Sequence, residues 1–327
     1  MNPHRRSTLR LVAAMAAGAL PFARAQAQPF PSKLIRIVVP LAPGGSADSM
    51  ARLLAAGIAR VLGQSVIVDN KPGAGGLNGM AEVARAPRDG YTLGYSLAGA
   101  LTVANHIALK MPYDPAKDFA PITQVVAVPE IIVVNPKLGV TSLQQLVALA
   151  KAKPGTLNFG SAGNATIPHL GGELFKHETG IDIVHVPYRG TGPALNDLLA
   201  GQVQMMLADV TLVRAHIEAG RLLPLAVAGP RRIAVLPAVP TTAEVGLPGV
   251  QVSNWHTLVA PAGTPAEVVA RLRDAVQRAM ALPEVQSRLT QEGAEAVVGT
   301  PAQTLAFLDK ERARWGTLVK KLGIRWD

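Results

Sequence analysis

Cysteine is absent from all 327 residues. Its absence excludes disulfides, zinc–thiolate and iron–sulfur sites, a cysteine nucleophile and a lipidated-cysteine anchor. Aromatic residues make up only 4% of the chain, too few for the stacking platforms that hold single-stranded nucleic acid. No run of five like charges occurs, so the formal charge of +10 is spread along the chain rather than gathered into a basic patch. Familiar catalytic strings are missing as well. There is no G-x4-G-K-[ST] phosphate loop. After Gly73 and Gly75, the third glycine of a dinucleotide fingerprint is replaced by Asn78, with Gly79 one residue late. His177-Glu178 is followed by Ile181 where a zinc protease needs histidine, and Gly94-Tyr95-Ser96-Leu97-Ala98 lacks the last glycine of a hydrolase elbow. The seven histidines, at 4, 106, 169, 177, 185, 216 and 256, show no metal-ligand spacing. The chain is therefore expected to carry no catalytic group, no metal and no cofactor, and to bind no nucleic acid.

What is present is a composition 49% apolar and 17% charged, with 31 Gly and 26 Pro. That suits a sizeable core punctuated by many turns, and the length suits two domains. Residues 1–27 read as an export signal. Arg5, Arg6 and Arg10 precede a short apolar run from Leu11 to Phe22, followed by small-residue cleavage sites ending at Ala25 or Ala27. The run is too short to cross a bilayer core of about 30 Å as a helix. Removing this segment lowers the formal charge from +10 to +6, because it holds four arginines and no acid. Whether Arg5-Arg6 marks a twin-arginine route or a general one stays open. The mature protein is expected in the periplasm.

Beyond the signal, strand and helix patterns alternate. Strand patterns at 34–39, rich in β-branched residues, and at 66–68 and 91–96 enclose helices at about 48–62 and 79–84, a βαβαβ order that implies a mostly parallel sheet. The apolar run 125–134 reads as a strand leaving a first domain. A second alternation follows, with strands near 157–159, 183–186, 203–207 and 223–228. Residues 250–260 then cross back. Thr264-Pro265-Ala266-Glu267 and Thr300-Pro301-Ala302-Gln303 read as capping boxes that open two last helices. The expected domains are 28–128 plus 251–327 and 129–250, with a cleft between them.

Two loops stand at equivalent places in the two halves. Pro43-Gly44-Gly45-Ser46-Ala47-Asp48 and Gly160-Ser161-Ala162-Gly163-Asn164-Ala165-Thr166 each join a strand end to a helix start. Free N–H groups and the helix dipole favour an anion there, and small residues let it come close. Either loop alone can be an ordinary βα turn, but the matched pair points to an anionic ligand held from both sides. Asp48 reads as a first-turn helix residue. Asp209, after the strand 203–207, can face the cleft and accept a hydrogen bond from a ligand amine or hydroxyl, or can cap the helix at 210. Trp255 suits either a cleft wall or core packing.

In order along the chain, Val39-Pro40-Leu41-Ala42-Pro43-Gly44-Gly45 with Asp48, Asn70-Lys71-Pro72-Gly73-Ala74-Gly75-Gly76, Asp89-Gly90-Tyr91-Thr92-Leu93 and Asn158-Phe159-Gly160-Ser161-Ala162-Gly163 form a recognisable series. Val186-Pro187-Tyr188-Arg189-Gly190 and Ala260-Pro261-Ala262-Gly263-Thr264-Pro265 continue it. The series resembles the Bug family, the extracytoplasmic receptors of tripartite tricarboxylate transporters. The resemblance implies an α/β type II periplasmic binding protein fold of two domains. It implies a small carboxylate, of the mono-, di- or tricarboxylate or amino-acid class, captured by domain closure. The partners would be membrane permease subunits or a sensor protein, the receptor itself being a monomer. Carried over by position, the site is Ala42, Gly44, Ser46 and Asp48, with Gly75, Gly76, Ser96 and Ala98 on the same rim. The second half adds Ser161, Ala162, Asn164, Thr166 and His169, and Asp209. The chain departs from the family where Ala208-Asp209 displaces the usual acid by one residue. It departs also at His256 and Thr257, which replace an aromatic and a glycine, and at Ile167-Pro168. A receptor acting only through a protein partner, or a hydrolase using the same cleft, are the competing readings.

Overall fold

The computed structural model describes residues 30–108 and 110–324; the export-signal reading lies outside the described residues. Strand β1 (Ile35–Val39) buries Ile35, Ile37, Val38 and Val39 completely, as expected of a parallel strand covered on both faces. Helix α1 (Ser46–Leu62) packs Met50, Ala51, Leu54 and Ile58 inward. Strand β2 (Val66–Asn70), helix α2 (Leu77–Ala84) and strand β3 (Thr92–Leu97) complete the first βαβαβ unit, with β2 and β3 parallel to β1 on either side. A wide helical turn, Gly99–Val103, runs on into α3 (Ala104–Ile107). Strand β4 (Phe119–Val134) begins earlier than the apolar run suggests.

The second alternation gives α4 (Leu143–Ala152), β5 (Asn158–Ser161), α5 (Ile167–Thr179) and β6 (Val184–Pro187), then α6 (Thr191–Ala200), β7 (Met205–Asp209), α7 (Val210–Glu218) and β8 (Leu223–Val227). The return comprises β9 (Ser253–Pro261), α8 (Ala266–Met280), α9 (Pro283–Glu292), the short β10 (Glu295–Ala296) and α10 (Pro301–Leu322). No helix of the described residues is long and apolar enough to cross a membrane.

Strand β4 changes partners along its length. From Phe119 to Pro129 it pairs antiparallel with β9; from Glu130 to Val134 it pairs antiparallel with β7, and β8 joins it over nearly the same stretch. Proline lacks the N–H that a ladder needs, so Pro129 marks a natural break. The strand order β2-β1-β3-β9-β4-β7-β5-β6 thus has two halves joined through β4, each with its parallel strands on the outside.

Two local expectations differ from the structure. The Thr300–Gln303 box is complete, with N–H donation in both directions. The Thr264–Glu267 box does not form: the Thr264 hydroxyl donates to the Pro261 carbonyl at 2.8 Å, and Pro265 takes the cap position without a side-chain bond. A tight turn over Pro261 holds Thr264 by its N–H as well, so its hydroxyl is spent before the helix starts. Helix α9, polar over most of its length, had no counterpart in the sequence pattern.

Trp255 belongs to the core. It lies edge-on to Phe307, with ring centroids 5.0 Å apart, and its indole N–H donates to Glu311 at 3.2 Å. The fully buried Trp315 donates to the same Glu311 oxygen, also at 3.2 Å. One carboxylate thus ties the returning strand β9 to the last helix. Glu311→Ala would strand two buried indole donors and is expected to cost about 2–4 kcal/mol, read as a lower denaturation midpoint; an unchanged midpoint would show that the indoles find other acceptors.

Candidate functional site

The βα loops of both halves meet at the ends of their parallel strands, where open α/β sheets place ligands. The Ala42 N–H donates to the Arg189 carbonyl at 3.0 Å across the junction. The approach is close because side chains are missing: a Cβ on Gly99 would lie 2.4 Å from the Ala165 carbonyl oxygen, and one on Gly45 would lie 2.7 Å from the Thr191 hydroxyl. Between the loops lies a narrow cavity. Its walls are mostly apolar and include Pro40, Leu41, Leu97, Ile167 and Pro168. The polar side chains on it are Thr166, Thr191, Asn254 and Asp209, so its single ionisable group is an acid.

Asp209 ends β7 and is 1% exposed. Burying a carboxylate requires donors. The hydroxyl of Ser46, the first residue of α1, donates to one oxygen. The Asn254 amide, on β9, lies 3.0 and 3.3 Å from the two oxygens. Asp209 gives no side-chain cap to α7, so its reach toward the cavity, not helix capping, is what its position serves. Directly across the ladder stands Glu130, fully buried, its two oxygens receiving no donor. Burial first, and then the neighbouring Asp209 charge, push the Glu130 carboxyl well above the usual range. Nearby, the Tyr95 hydroxyl and His256 Nδ1 are 3.0 Å apart. Burial raises the Tyr95 phenol, and it lowers His256 to about 4 against the pull of Asp209.

The second loop is held by an uncharged scaffold. Ser161 Oγ accepts the Gly163 N–H at 3.1 Å and lies 2.6 Å from His185 Nε2. The His185 ring stacks on His169, with centroids 4.1 Å apart, and His169 Nδ1 accepts the Ala165 N–H at 3.2 Å. Burial is the main reason that His169 falls to about 3 and His185 to about 4. Ala165 adopts a positive φ of 64°, an unusual state for a residue with a Cβ that marks a loop held in one shape by its surroundings.

Of the residues singled out in the sequence, Gly75, Ala162, Thr166 and Asp209 line the cavity. Ser46 touches it only through Asp209. Asp48 turns back on its own loop, accepting the Gly44 N–H at 3.0 Å and pairing with Arg52 at 3.0 Å, as a first-turn residue should. Ser161 and His169 shape the second loop, Ala42 joins the halves, and Ala98 accepts the Thr102 hydroxyl. Ser96 bonds the Leu97 carbonyl, Gly76 packs near Pro40, and Asn164 is half-buried; none of the three is on the wall. Gly44 has open space where its Cβ would be. Sequence reasoning missed Glu130, Tyr95, Asn254 and Thr191. Glu130 had a signal, as the lone acid within the apolar run 125–134. Among the described residues, no three His, Asp or Glu side chains gather as metal ligands.

A native Glu130 that keeps its proton while the unfolded chain loses it above pH 4.5 makes stability fall as pH rises from there. The buried histidines act oppositely, since the unfolded chain takes up their protons below 6.5 and stability falls as pH drops through that value. Glu130→Gln is expected to raise the denaturation midpoint at neutral pH and to flatten its decline toward alkaline pH. A less stable variant with the same slope would show Glu130 to be ionised.

Residues 50–324 match the family model of the tripartite tricarboxylate transporter family receptor. Protein BugT of Bordetella pertussis is 38% identical over 300 residues, covering 91% of this chain and 92% of that protein. The solved periplasmic binding protein BugD is 35% identical with a TM-score of 0.88, over 90% of this chain and 99% of BugD. The R. palustris protein Rpa4515, solved with adipate, is 36% identical with a TM-score of 0.88, over 90% of this chain and 99% of its own. With the matched loops, the two-half sheet and these likenesses together, the chain belongs to the Bug family of tripartite tricarboxylate transporter receptors, and its fold is that of the periplasmic binding proteins.

Proposed function

We propose that this protein captures a small carboxylate by closing the two halves of its sheet on it. It would then deliver the ligand unchanged to the membrane permease of a tripartite tricarboxylate-type transporter, or report it to a sensor. The observation that carries this reading is the cavity itself, walled by loops from both halves at their strand ends, neutral on its second-loop side and open to backbone donors. The adipate bound by a 36% identical relative supports a carboxylate. No nucleophile with a base stands on the wall, so the reading needs no chemistry beyond binding.

On this reading the domains are 28–128 with 251–327, and 129–250, hinged where β4 changes partners at Pro129 and where the chain returns ahead of β9. The mature protein works in the periplasm as a monomer, after cleavage near Ala25 or Ala27. The ligand carboxylate sits against Ala162 and Thr166 at the start of α5, where unpaired N–H groups and the helix dipole favour it, and Gly75 and Thr191 close over it.

A thermal-shift screen of residues 28–327 against mono-, di- and tricarboxylates and amino acids tests this. A ligand at about one hundred times its dissociation constant adds about 2.7 kcal/mol, on the order of five degrees for a chain of this size. The expected result is such a shift with the ligand recovered unchanged; turnover, or a flat screen after any retained ligand is extracted by unfolding, would sink the reading. Gly99→Ala sets a Cβ against the Ala165 carbonyl and is expected to weaken the best ligand by about tenfold or more in a folded protein. Undiminished affinity would mean that the halves do not close this far.

A further inference from the structure

The matched loops suggest two places for ligand carboxylates, one at each helix start. In the structure the first is filled from within. Asp48 accepts the Gly44 N–H of the first loop at 3.0 Å, and the Asp209 carboxylate reaches from the end of β7 to the Ser46 hydroxyl at the start of α1. It is pinned there by Asn254. Only the second cradle, beside Ala162 and Thr166, is left for a ligand. Across the cavity from that cradle stands an acceptor, because a carboxylate offers about four lone-pair positions and Ser46 with one Asn254 amide do not use them all.

No lysine or arginine lines this cavity to balance Asp209. The ionisable groups packed around it, Glu130, Tyr95 and His256, are held neutral by burial and supply no cation. A second ligand carboxylate would therefore face a like charge in an enclosed, water-poor space, where repulsion is strong. An ammonium in the same position would meet a fixed, desolvated partner. Between the two ends the wall is apolar, with Leu41, Ile167 and Pro168.

We propose, resting on the carboxylate-receptor reading above, that Asp209 selects a ligand with one carboxylate and one ammonium on a small apolar body, a neutral amino acid, over plain dicarboxylates. Asn254 and Ser46 are positioning residues that hold the Asp209 carboxylate toward the cavity.

Calorimetric titration of residues 28–327 decides this. The probes are the neutral standard amino acids, their deamino counterparts, their N-acetyl derivatives, and the straight-chain dicarboxylates through adipate. The expected result is that at least one neutral amino acid binds about tenfold or more tighter than its deamino and N-acetyl forms and than any dicarboxylate. Asp209→Asn keeps the shape and removes the charge, and should reduce that preference, read as the ratio of amino-acid to deamino affinity, by about tenfold. Tightest binding of a dicarboxylate, or an amino-acid preference that Asp209→Asn leaves intact, would overturn the role of Asp209 while the carboxylate receptor stands. If no probe of any class binds, both the receptor reading and this inference fall. Should Asp209→Asn fail to fold, the comparison of amino acid with its deamino form in the unaltered protein decides, because deamination keeps the carboxylate and removes the ammonium without adding bulk.

Discussion

A carboxylate taken out of water must be given donors, and for Asp209 those donors come from parts of the chain far apart in sequence. Ser46 opens α1 in the first half of the sheet, and Asn254 lies on the returning strand β9. The charge is satisfied only when the halves are together. Parting them would strip Ser46 from Asp209 and let water in to replace it. Closure and burial of this charge are therefore one event, and the energy that water provides in the open state is what the Ser46 and Asn254 bonds must match in the closed one. Pro129, with no N–H to give, sits beside this point and lets β4 pair with one half before it and the other after it.

The two halves come close through what their loops lack. Gly99 faces a carbonyl of the opposite loop so closely that no side chain fits, and Gly163 faces Gly75. Ala42 adds a backbone hydrogen bond that any residue other than proline could make. Specific side-chain pairs across the junction are few, and the one that stands out involves Asp209. This arrangement suits a receptor that opens and closes often, since backbone contacts and small surfaces carry little side-chain entropy to fix at each closure.

Much of the architecture was legible because parallel strands buried on both faces produce dense β-branched runs such as Ile35–Val39, and helix starts leave local marks such as Thr300 with Gln303. The equivalence of the two glycine loops was legible for the same reason, since both solve the same strand-to-helix turn. What was not legible depended on tertiary neighbours. Thr264 has the residues of a capping box, yet a turn over Pro261 claims its hydroxyl. Which loop residues face inward could not be read from spacing, so Ser161 and His169 turn out to brace the second loop while Pro40, Leu97 and Thr191 reach the wall. Glu130 shows as a lone acid in an apolar run, but its meaning lies in Asp209, a partner 79 positions away that meets it only across the sheet. The departures noted from the family pattern, at 167–168, at 208–209 and at 256–257, gather around this one cluster and its cavity.

The two cradles are thus alike in sequence and unlike in electrostatics. The first is occupied by the protein's own acid. The second is braced by two stacked histidines that burial keeps neutral, so it offers hydroxyl and backbone dipoles without a net positive charge. A full cation at the second cradle would add a charge that these fixed dipoles do not. Neutral donors fixed in place by Ser161, His185 and the positive-φ Ala165 give orientation with a shallower well. With lysine and arginine left out of the wall, Asp209 is the only ionisable side chain on it.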